Sequence, residues 1–381
     1  MAILRLNDRV RVLRSNSIAS ILTRAVATAF LMIPASAAWA DGPGSRPYSA
    51  HWSVITSPRE IERGSGIDWA GRVDFGNAPI QRNAFVVYEH HIADDVRAQG
   101  LSITTRPGYY EAFATAIRNN MSRFSVCPDP NFDGYAVLDI EFLPLEWGNR
   151  TAGPGLSPPS DHGPRQFDLW YEFIRNTHPE TIRGLSSAQE EAVLKAGYEA
   201  AAREWYLFMV AECKRQRPNA KWGFYGYPAW RNNEYNWPEP NAFKAKNTAM
   251  SWLWDAVDVI YPSLYSRWYV VPDGQAREHG EREASSFERF LRSNTVESRR
   301  VAGDKPVMVF TMVRYAEYGH NHVGENVNPL SNELSMRIPK EAGADGLIIW
   351  DYLTNEGDFN QIQEVMTDRK STRLNSSHLV I

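Results

Sequence analysis

Cysteines, long apolar runs and clusters of positive charge are scarce in this chain of 381 residues. The two cysteines, Cys127 and Cys213, exclude a framework of several disulfides. A formal net charge of −4, without basic runs in the body of the chain, argues against a nucleic-acid partner. No segment approaches the ~20 apolar residues that a membrane-spanning helix needs, so we expect no membrane anchor.

Motifs for metals, phosphates and nucleotides are also missing. His90 and His91 follow Glu89, but the His-Glu-x-x-His spacing of a zinc site is absent. The glycines match neither a phosphate loop nor a dinucleotide fingerprint, and Ser263 lacks the pattern of a nucleophile elbow. We therefore expect neither a metal nor another cofactor.

The N-terminus has the features of an export signal. Several arginines between Arg5 and Arg24 precede a short apolar run, and Ala38-Trp39-Ala40 places small residues at both positions of a cleavage site. We predict a signal peptide over residues 1–40, cleaved after Ala40, and a secreted or periplasmic protein of bacterial origin. Residues 41–50 are rich in Gly, Pro and Ser and read as a linker. Residues 369–381 lack periodicity and read as an unstructured tail, a cloning or read-through scar.

Between linker and tail, apolar runs of strand length alternate with helical patterns. Strands are predicted at 51–55, 72–75, 84–88, around Asp139, and at 221–225, 257–261, 306–313 and 346–350. Helices are predicted at 109–124, 167–176, 187–216, 242–253, 281–293 and 330–341. This alternation predicts a parallel α/β sheet closed into one barrel-like domain over residues 51–368, and we expect a monomer. Residues 148–165 form a long loop, either a lid or an idle insertion.

One strand ends in two carboxylates. In the run from Tyr135 to Phe142, Asp139 and Glu141 occupy positions i and i+2, which point to the same side of a strand. The carboxyl ends of barrel strands are where α/β barrels place their chemistry. A pair of acids there suits general acid catalysis by one and charge stabilisation by the other, whereas acids at a solvated strand end would serve solubility alone.

Aromatic residues follow several other predicted strands. Tyr225 with Tyr227, Tyr265 after Tyr261, and Trp350 with Asp351 would converge with the acids at one end of a barrel. This combination favours sugar hydrolysis, because flat aromatic faces stack on sugar rings. The two acids lie too close for plain inversion and fit a substrate-assisted route, in which the sugar's N-acetyl oxygen attacks the anomeric carbon.

The same residues resemble the hyaluronidases of glycoside hydrolase family 56. The resemblance runs from about residue 84 to 366 and rests on four pieces in order: Leu138-Asp139-Ile140-Glu141, Trp222-Gly223-Phe224-Tyr225-Gly226-Tyr227-Pro228, Ser251-Trp252-Leu253-Trp254 with Tyr261-Pro262-Ser263-Leu264-Tyr265, and Gly346-Leu347-Ile348-Ile349-Trp350. It implies a distorted (β/α) TIM-like barrel and retaining hydrolysis of β-1,4 bonds next to N-acetylhexosamine in a glycosaminoglycan-type polysaccharide. By position, Glu141 resembles the proton donor and Asp139 the acid that orients the acetamido group. Tyr225, Tyr265 and Trp350 resemble the aromatic residues of the substrate pocket.

The chain departs from the family at several substrate contacts. The basic residue usual after Asp-x-Glu is missing from the stretch through Leu143, Ala229 replaces an acid, and Leu353 stands where a second Trp is expected. Arg231, Arg267 and Arg314 are alternative basic contacts for a polyanion. Two alternatives to the glycosaminoglycan hydrolase stay open: a non-catalytic carbohydrate-binding protein on the same barrel, and a glycosidase for another N-acetylhexosamine polymer.

The family's usual cysteines are also absent. Cys127 precedes the strand of Asp139, and Cys213 ends the long helix, so both are expected at the bottom of neighbouring barrel units. We predict a disulfide between them, with two independent buried thiols as the alternative.

Overall fold

The structure, a computed structural model, describes residues 46–56, 68–75, 78–88, 92, 108–123, 129–140, 145, 166–228, 240–278, 280–315 and 324–367. All of them belong to one compact unit, Pro43–Ile381. The predicted signal peptide and tail, loop 148–165, Glu141, Cys127, Ala229, Arg231 and the His90–His91 pair lie outside the described residues.

Strands and helices alternate along the described residues, as predicted. The strands are β1 (Ser49–Trp52), β2 (Ile55–Thr56), β3 (Ile80–Gln81), β4 (Ala84–Tyr88), β5 (Tyr135–Asp139), β6 (Lys221–Phe224), β7 (Tyr269–Val271), β8 (Glu281–Glu283), β9 (Met308–Met312), β10 (Gly346–Trp350) and β11 (Tyr352–Leu353). The helices are α1 (Trp69–Arg72), α2 (Gly108–Arg123), α3 (Gln166–Thr177), α4 (Ser187–Gln216), α5 (Pro240–Ala249), α6 (Ser251–Ala256), α7 (Ala284–Ala302), α8 (Pro329–Glu341) and α9 (Glu356–Thr367), with a 3₁₀ turn at Pro179–Thr181.

Parallel pairing joins seven chain segments into a ring. The order β3-β1-β10-β9 forms one sheet and β4-β5-β6 another. Isolated parallel bridges connect β6 to residues 260–263 and those residues to β9. Because only Arg82 and Asn83 separate β3 from β4, the two sheets share one continuous segment and the ring closes. The distorted α/β barrel expected from the sequence is confirmed.

The barrel strands are buried on both faces, which explains their continuous apolar sequences. Inside the ring, Val137 of β5, Phe310 of β9 and Ile348 of β10 belong to one apolar cluster. The alternate residues of the same strands, such as Leu138 and Leu347, pack into a second cluster together with the helices. This double burial fixes the register, since a slip by one residue would exchange the two faces.

Helix α4 is the longest helical element among the described residues, and both its bounds agree with the prediction. Its start is a capping box, in which the Gln189 side chain accepts a hydrogen bond from the Ser186 backbone N–H at 3.0 Å. Its apolar stripe contacts α2 through Phe113 and Trp205, whose ring centroids lie 5.2 Å apart. The Trp170 indole of α3 donates to the Leu194 carbonyl at 3.2 Å.

Five predicted elements were wrong in type or extent. The strand predicted at 51–55 is divided into β1 and β2, and β1 already begins at Ser49, inside the predicted linker. Residues 72–75 form no strand, because Asp68 caps the short helix α1 by accepting from the Gly71 N–H at 3.0 Å. The helix predicted at 242–253 is interrupted at Met250 between α5 and α6. Residues 257–261 pair only through isolated bridges, and residues 281–283 form β8 before α7 begins.

Candidate active site

Asp139 is the last residue of β5 and lies at the carboxyl end of the barrel. In the parallel register with β4 it stands directly beside Tyr88. The four residues before it are buried, while Asp139 itself is half-buried. A carboxylate placed this way is fixed by a buried strand and still faces the end of the barrel where substrate can enter.

Tyr225, Tyr265 and Trp350 form a continuous aromatic row at the same end. The rings of Tyr225 and Tyr265 stack with centroids 5.9 Å apart, and those of Tyr265 and Trp350 with centroids 5.7 Å apart. Phe310 packs against the row edge-to-face, with its ring centroid 5.1 Å from that of Tyr225. The convergence predicted for these three side chains from separate strand ends is what the structure has.

Tyr88 lies beside the candidate site, and sequence reasoning did not single it out. Its hydroxyl accepts a hydrogen bond from the Trp350 indole N–H, which joins the aromatic row to the strand beside Asp139. The available signal was its position as the last residue of a buried strand, the same signal that had marked Asp139. Because Tyr residues also fill cores, that position alone did not distinguish Tyr88 from a packing residue.

Burial keeps the phenols of this site protonated. It raises the pKa of Tyr265 well above 10, and the nearby Tyr225 and the negative charge of Asp139 raise it further. Burial raises the pKa of Tyr88 as well, again with a contribution from Asp139. Tyr88 and Tyr265 therefore lie within electrostatic reach of Asp139. Tyr265 is a neutral hydroxyl donor over the physiological range of pH.

Tyr225 has a further polar contact. Its hydroxyl lies 2.8 Å from the Ser263 hydroxyl, at the end of the neighbouring barrel segment. Tyr227, which the sequence grouped with Tyr225, instead contacts Tyr206 of α4, with the two hydroxyls 3.4 Å apart. Position 227 thus points toward the helical layer and not toward the aromatic row.

Two charged residues expected near the substrate, Arg314 and Asp351, instead form part of a buried network of ion pairs. Arg314 donates to Asp351 at 2.7 Å and to Asp358 at 2.7 Å, and Asp351 is only 2% exposed. Two predictions were therefore wrong: that Arg314 contacts a polyanionic substrate, and that Asp351 lines the pocket. Of the three candidate arginines, Arg267 is half-buried and Arg231 lies outside the described residues.

Cys213 is completely buried in α4, and burial raises the pKa of its thiol. Cys213 is a free thiol in the structure, so the predicted disulfide with Cys127 is wrong. Within the described ranges no group of three His, Cys, Asp or Glu side chains is arranged to hold a metal ion. Over the same ranges, the helices are all too short or too polar to cross a bilayer.

The geometry defines a parallel α/β barrel with a carboxylate and an aromatic row at the carboxyl ends of its strands. The sequence profile of the hyaluronidase family, glycoside hydrolase family 56, matches residues 170–374, more than half of the chain, and the chain belongs to this family. The match includes Tyr225, Tyr265 and Trp350 but begins after Asp139 and Glu141.

Named relatives agree with this membership. Hyaluronidase-1 of Homo sapiens is 25% identical over 235 residues, which cover 58% of this chain and 47% of that protein. Chondroitin hydrolase of Caenorhabditis elegans is 26% identical over 230 residues, covering 58% and 45%. The chain thus spans about half the length of the curated relatives it matches.

Bee venom hyaluronidase shares the fold. Its crystal structure superimposes with a TM-score of 0.61 at 19% identity, covering 86% of this chain and 99% of that one. The complex of the same enzyme with a hyaluronic acid tetramer gives a TM-score of 0.60 at 18% identity.

Proposed function

We propose that the chain is an exported, monomeric, retaining endo-glycosidase that hydrolyses β-1,4 bonds next to N-acetylhexosamine in a glycosaminoglycan-type polysaccharide. The observation that carries the proposal is the aromatic row of Tyr225, Tyr265 and Trp350 beside Asp139 at the carboxyl end of the barrel. Family membership supports it, as do the names of relatives, which are called hyaluronidases and a chondroitin hydrolase. The bee enzyme's complex with a hyaluronic acid tetramer supports the substrate class.

Each residue has a role in a substrate-assisted reaction. Glu141 gives its proton to the glycosidic oxygen while the acetamido carbonyl oxygen of the substrate attacks the anomeric carbon and the bond to the leaving sugar breaks. Asp139 orients the acetamido N–H and stabilises the positive charge that develops on that group. The neutral Tyr265 hydroxyl donates to the acetamido oxygen. Glu141 then takes a proton from water, which attacks the same carbon and restores the acetamido group with net retention.

The direct experiment incubates the full chain with hyaluronan, chondroitin and chitin oligosaccharides and reads the products by mass and reducing ends. Saturated, even-numbered fragments from hyaluronan or chondroitin are expected. Cleavage of chitin alone would keep the chemistry and change the polymer. Binding without cleavage of any of them would favour the carbohydrate-binding alternative, which the departures at Leu143, Ala229 and Leu353 motivate.

The variant Glu141→Gln tests the proton donor. Glutamine keeps the size of the side chain but cannot supply a proton, so we expect turnover to fall by about 10²–10⁴-fold while oligosaccharide binding survives. Binding is measured by calorimetry with the same oligosaccharides. An unchanged rate would rule out Glu141 as the acid.

A further inference from the structure

An exposed tyrosine stands at the rim of the barrel. Among the described residues, the large apolar side chains that are exposed are Val193, Val296 and Tyr352, with Tyr352 at 36%. Val193 and Val296 lie on the helices α4 and α7, whereas Tyr352 follows Trp350 by two residues at the carboxyl end of β10. Exposed aromatic rings next to a candidate cleft are more informative than single exposed valines on helices.

Tyr352 belongs to the same group of rings as the candidate site. It follows Trp350 by two residues and lies within electrostatic reach of the Tyr88 phenol. The Tyr88 hydroxyl in turn accepts from the Trp350 indole, and Trp350 stacks on Tyr265. Exposure increases along this path, from 8% at Tyr265 to 36% at Tyr352. The exposed Tyr352 therefore stands next in sequence to the aromatic row, at its most solvent-accessible end.

The backbone of Tyr352 is held on both sides by one buried ion pair. Its N–H donates to the Asp351 carboxylate at 2.7 Å, and its carbonyl accepts from the Arg314 guanidinium at 2.6 Å. The same guanidinium donates to Asp351 at 2.7 Å and to Asp358 of α9 at 2.7 Å. We call Arg314, Asp351 and Asp358 the rim clamp. It joins the end of β9 to the end of β10 and to the first turn of α9.

Such a network is a costly way to gain stability. Desolvation of a buried ion pair offsets most of its Coulomb attraction, and a packed apolar group of similar volume is often at least as stable. The cost is visible at Asp351, where burial raises the pKa of the carboxyl despite the adjacent Arg314. What the rim clamp does provide is a fixed position for residues 350–352, which carry the two aromatic rings nearest the rim.

From this geometry we infer that Tyr352 is a further sugar-binding residue, whose ring stacks on a pyranose next to the sugar held at Trp350, and that the rim clamp positions it. The inference rests on the proposed function and adds a contact to it. Pyranose rings present C–H faces that pack on an aromatic ring, while the phenol hydroxyl stays in water. Because the contact lies outside the reacting centre, it affects binding of longer chains and not the chemical step.

The test compares Tyr352→Ala, Tyr352→Phe and Tyr352→Trp with the unsubstituted full chain on short and long oligosaccharides of hyaluronan, chondroitin and chitin. Tyr352→Ala is expected to raise KM for the long substrates about tenfold, the effect of losing one aromatic anchor, with kcat within about twofold. Phenylalanine and tryptophan retain a flat face and are expected to restore KM. Val193→Ala removes a similarly exposed apolar side chain, at 38%, from α4 and is the matched control.

Asp351→Asn tests the rim clamp as a positioning device. We expect it to raise KM for long substrates when Tyr352 is present and to have little further effect when Tyr352 is alanine. Thermal unfolding of each variant tests for a general loss of fold. Such a loss would lower the apparent kcat for short substrates as well as for long ones.

Two results would overturn the inference in distinguishable ways. If the unsubstituted chain cleaves an oligosaccharide and Tyr352→Ala does so with the same KM for long substrates, the added contact is wrong and the proposed function stands. If the unsubstituted chain neither cleaves nor binds any of the three polymers, both the proposed function and the role of Tyr352 are wrong.

Discussion

Asp139 lies at the carboxyl end of the barrel, within electrostatic reach of two protonated phenols, Tyr88 and Tyr265. Each phenol has a pKa raised by burial and by the charge of Asp139, so around neutral pH the two hydroxyls are neutral dipoles in the field of the carboxylate. A negative charge held among neutral donors is suited to stabilise a cation that develops on a neighbouring acetamido group.

Removing that charge is predicted to abolish most of the activity. Asp139→Asn keeps the size of the side chain but removes the charge that we propose stabilises the developing cation, so we expect kcat to fall by about 10²–10⁴-fold. Reducing-end assays on whichever polymer the unsubstituted chain cleaves give the rate. Asp133→Asn is the matched control, because Asp133 is exposed and precedes the opposite end of the same strand. Equal rates for Asp139→Asn and Asp133→Asn would exclude a catalytic role for Asp139.

At this scale, sequence identifies residue types but not their partners. The positions of Tyr225, Tyr265 and Trp350 followed from strand ends, because parallel strands bring their carboxyl ends together. The roles of Arg314 and Asp351 could not be predicted in this way, because a sequence does not distinguish a charge that binds substrate from a charge in a buried ion pair. Their pairing at 2.7 Å depends on the approach of two strand ends that are far apart along the chain.

Between elements, Gly223 controls how closely β6 approaches residues 259–261. A Cβ at this position would lie 2.2 Å from the Val259 carbonyl oxygen and 2.8 Å from the Tyr261 ring. Both contacts are far inside normal packing distance, and one involves backbone that cannot rotate away. The glycine is thus a condition for closing the barrel at this seam, where isolated bridges replace a continuous ladder.

Gly223→Ala is predicted to lower the free energy of unfolding by about 3 kcal/mol, the upper range for overpacking a core. Urea unfolding followed by tryptophan fluorescence measures the change. The control is Gly357→Ala in the first turn of α9, where the new Cβ meets only the Asn355 side chain, at 2.9 Å. We expect its effect to stay within about 1 kcal/mol. A loss of stability no larger than that of the control would show that the seam can relax.

Elements with strong local signals were predictable, and those set by tertiary contacts were not. Helix α4 agreed to the residue because its capping box and long apolar stripe are both local. Residues 257–261 have a strand-like sequence, yet they pair only at isolated positions because the seam with β6 is distorted. The 72–75 run was assigned from its apolar content, while the cap at Asp68 favoured a helical turn just before it.

Across the whole barrel, the end opposite the candidate site contains a buried histidine. His51 of β1 is 2% exposed, and its Nε2 lies 2.7 Å from the Ser49 hydroxyl. Its Nδ1 contacts the Asn83 side-chain oxygen, and since that oxygen only accepts, Nδ1 is the donor in this contact. The ring packs edge-on against Tyr135 of β5, with centroids 4.6 Å apart. Burial lowers the pKa of His51, and the charge of Lys221 from β6 lowers it further.

This histidine predicts a pH dependence of the whole fold. Its pKa is near 6.5 in the unfolded chain and lower in the folded one. At pH values between these two pKa values, the unfolded state therefore binds more protons than the folded state. The contribution of neutral His51 is therefore complete above about pH 6.5 and is lost as pH falls toward the folded-state pKa, at about 1.4 kcal/mol for each unit of depression. Urea unfolding at a series of pH values gives the slope of stability in this window.

The variant His51→Gln cannot titrate there, so its free energy of unfolding is expected to vary less with pH than that of the unsubstituted chain. His178→Gln is the control for replacing a histidine by glutamine, because His178 is exposed and follows α3. Comparing slopes separates titration from any constant loss of packing that the substitution causes. Parallel pH profiles for His51→Gln and the unsubstituted chain would mean that acid sensitivity resides in other groups, since only a titrating His51 makes the two profiles diverge below pH 6.5.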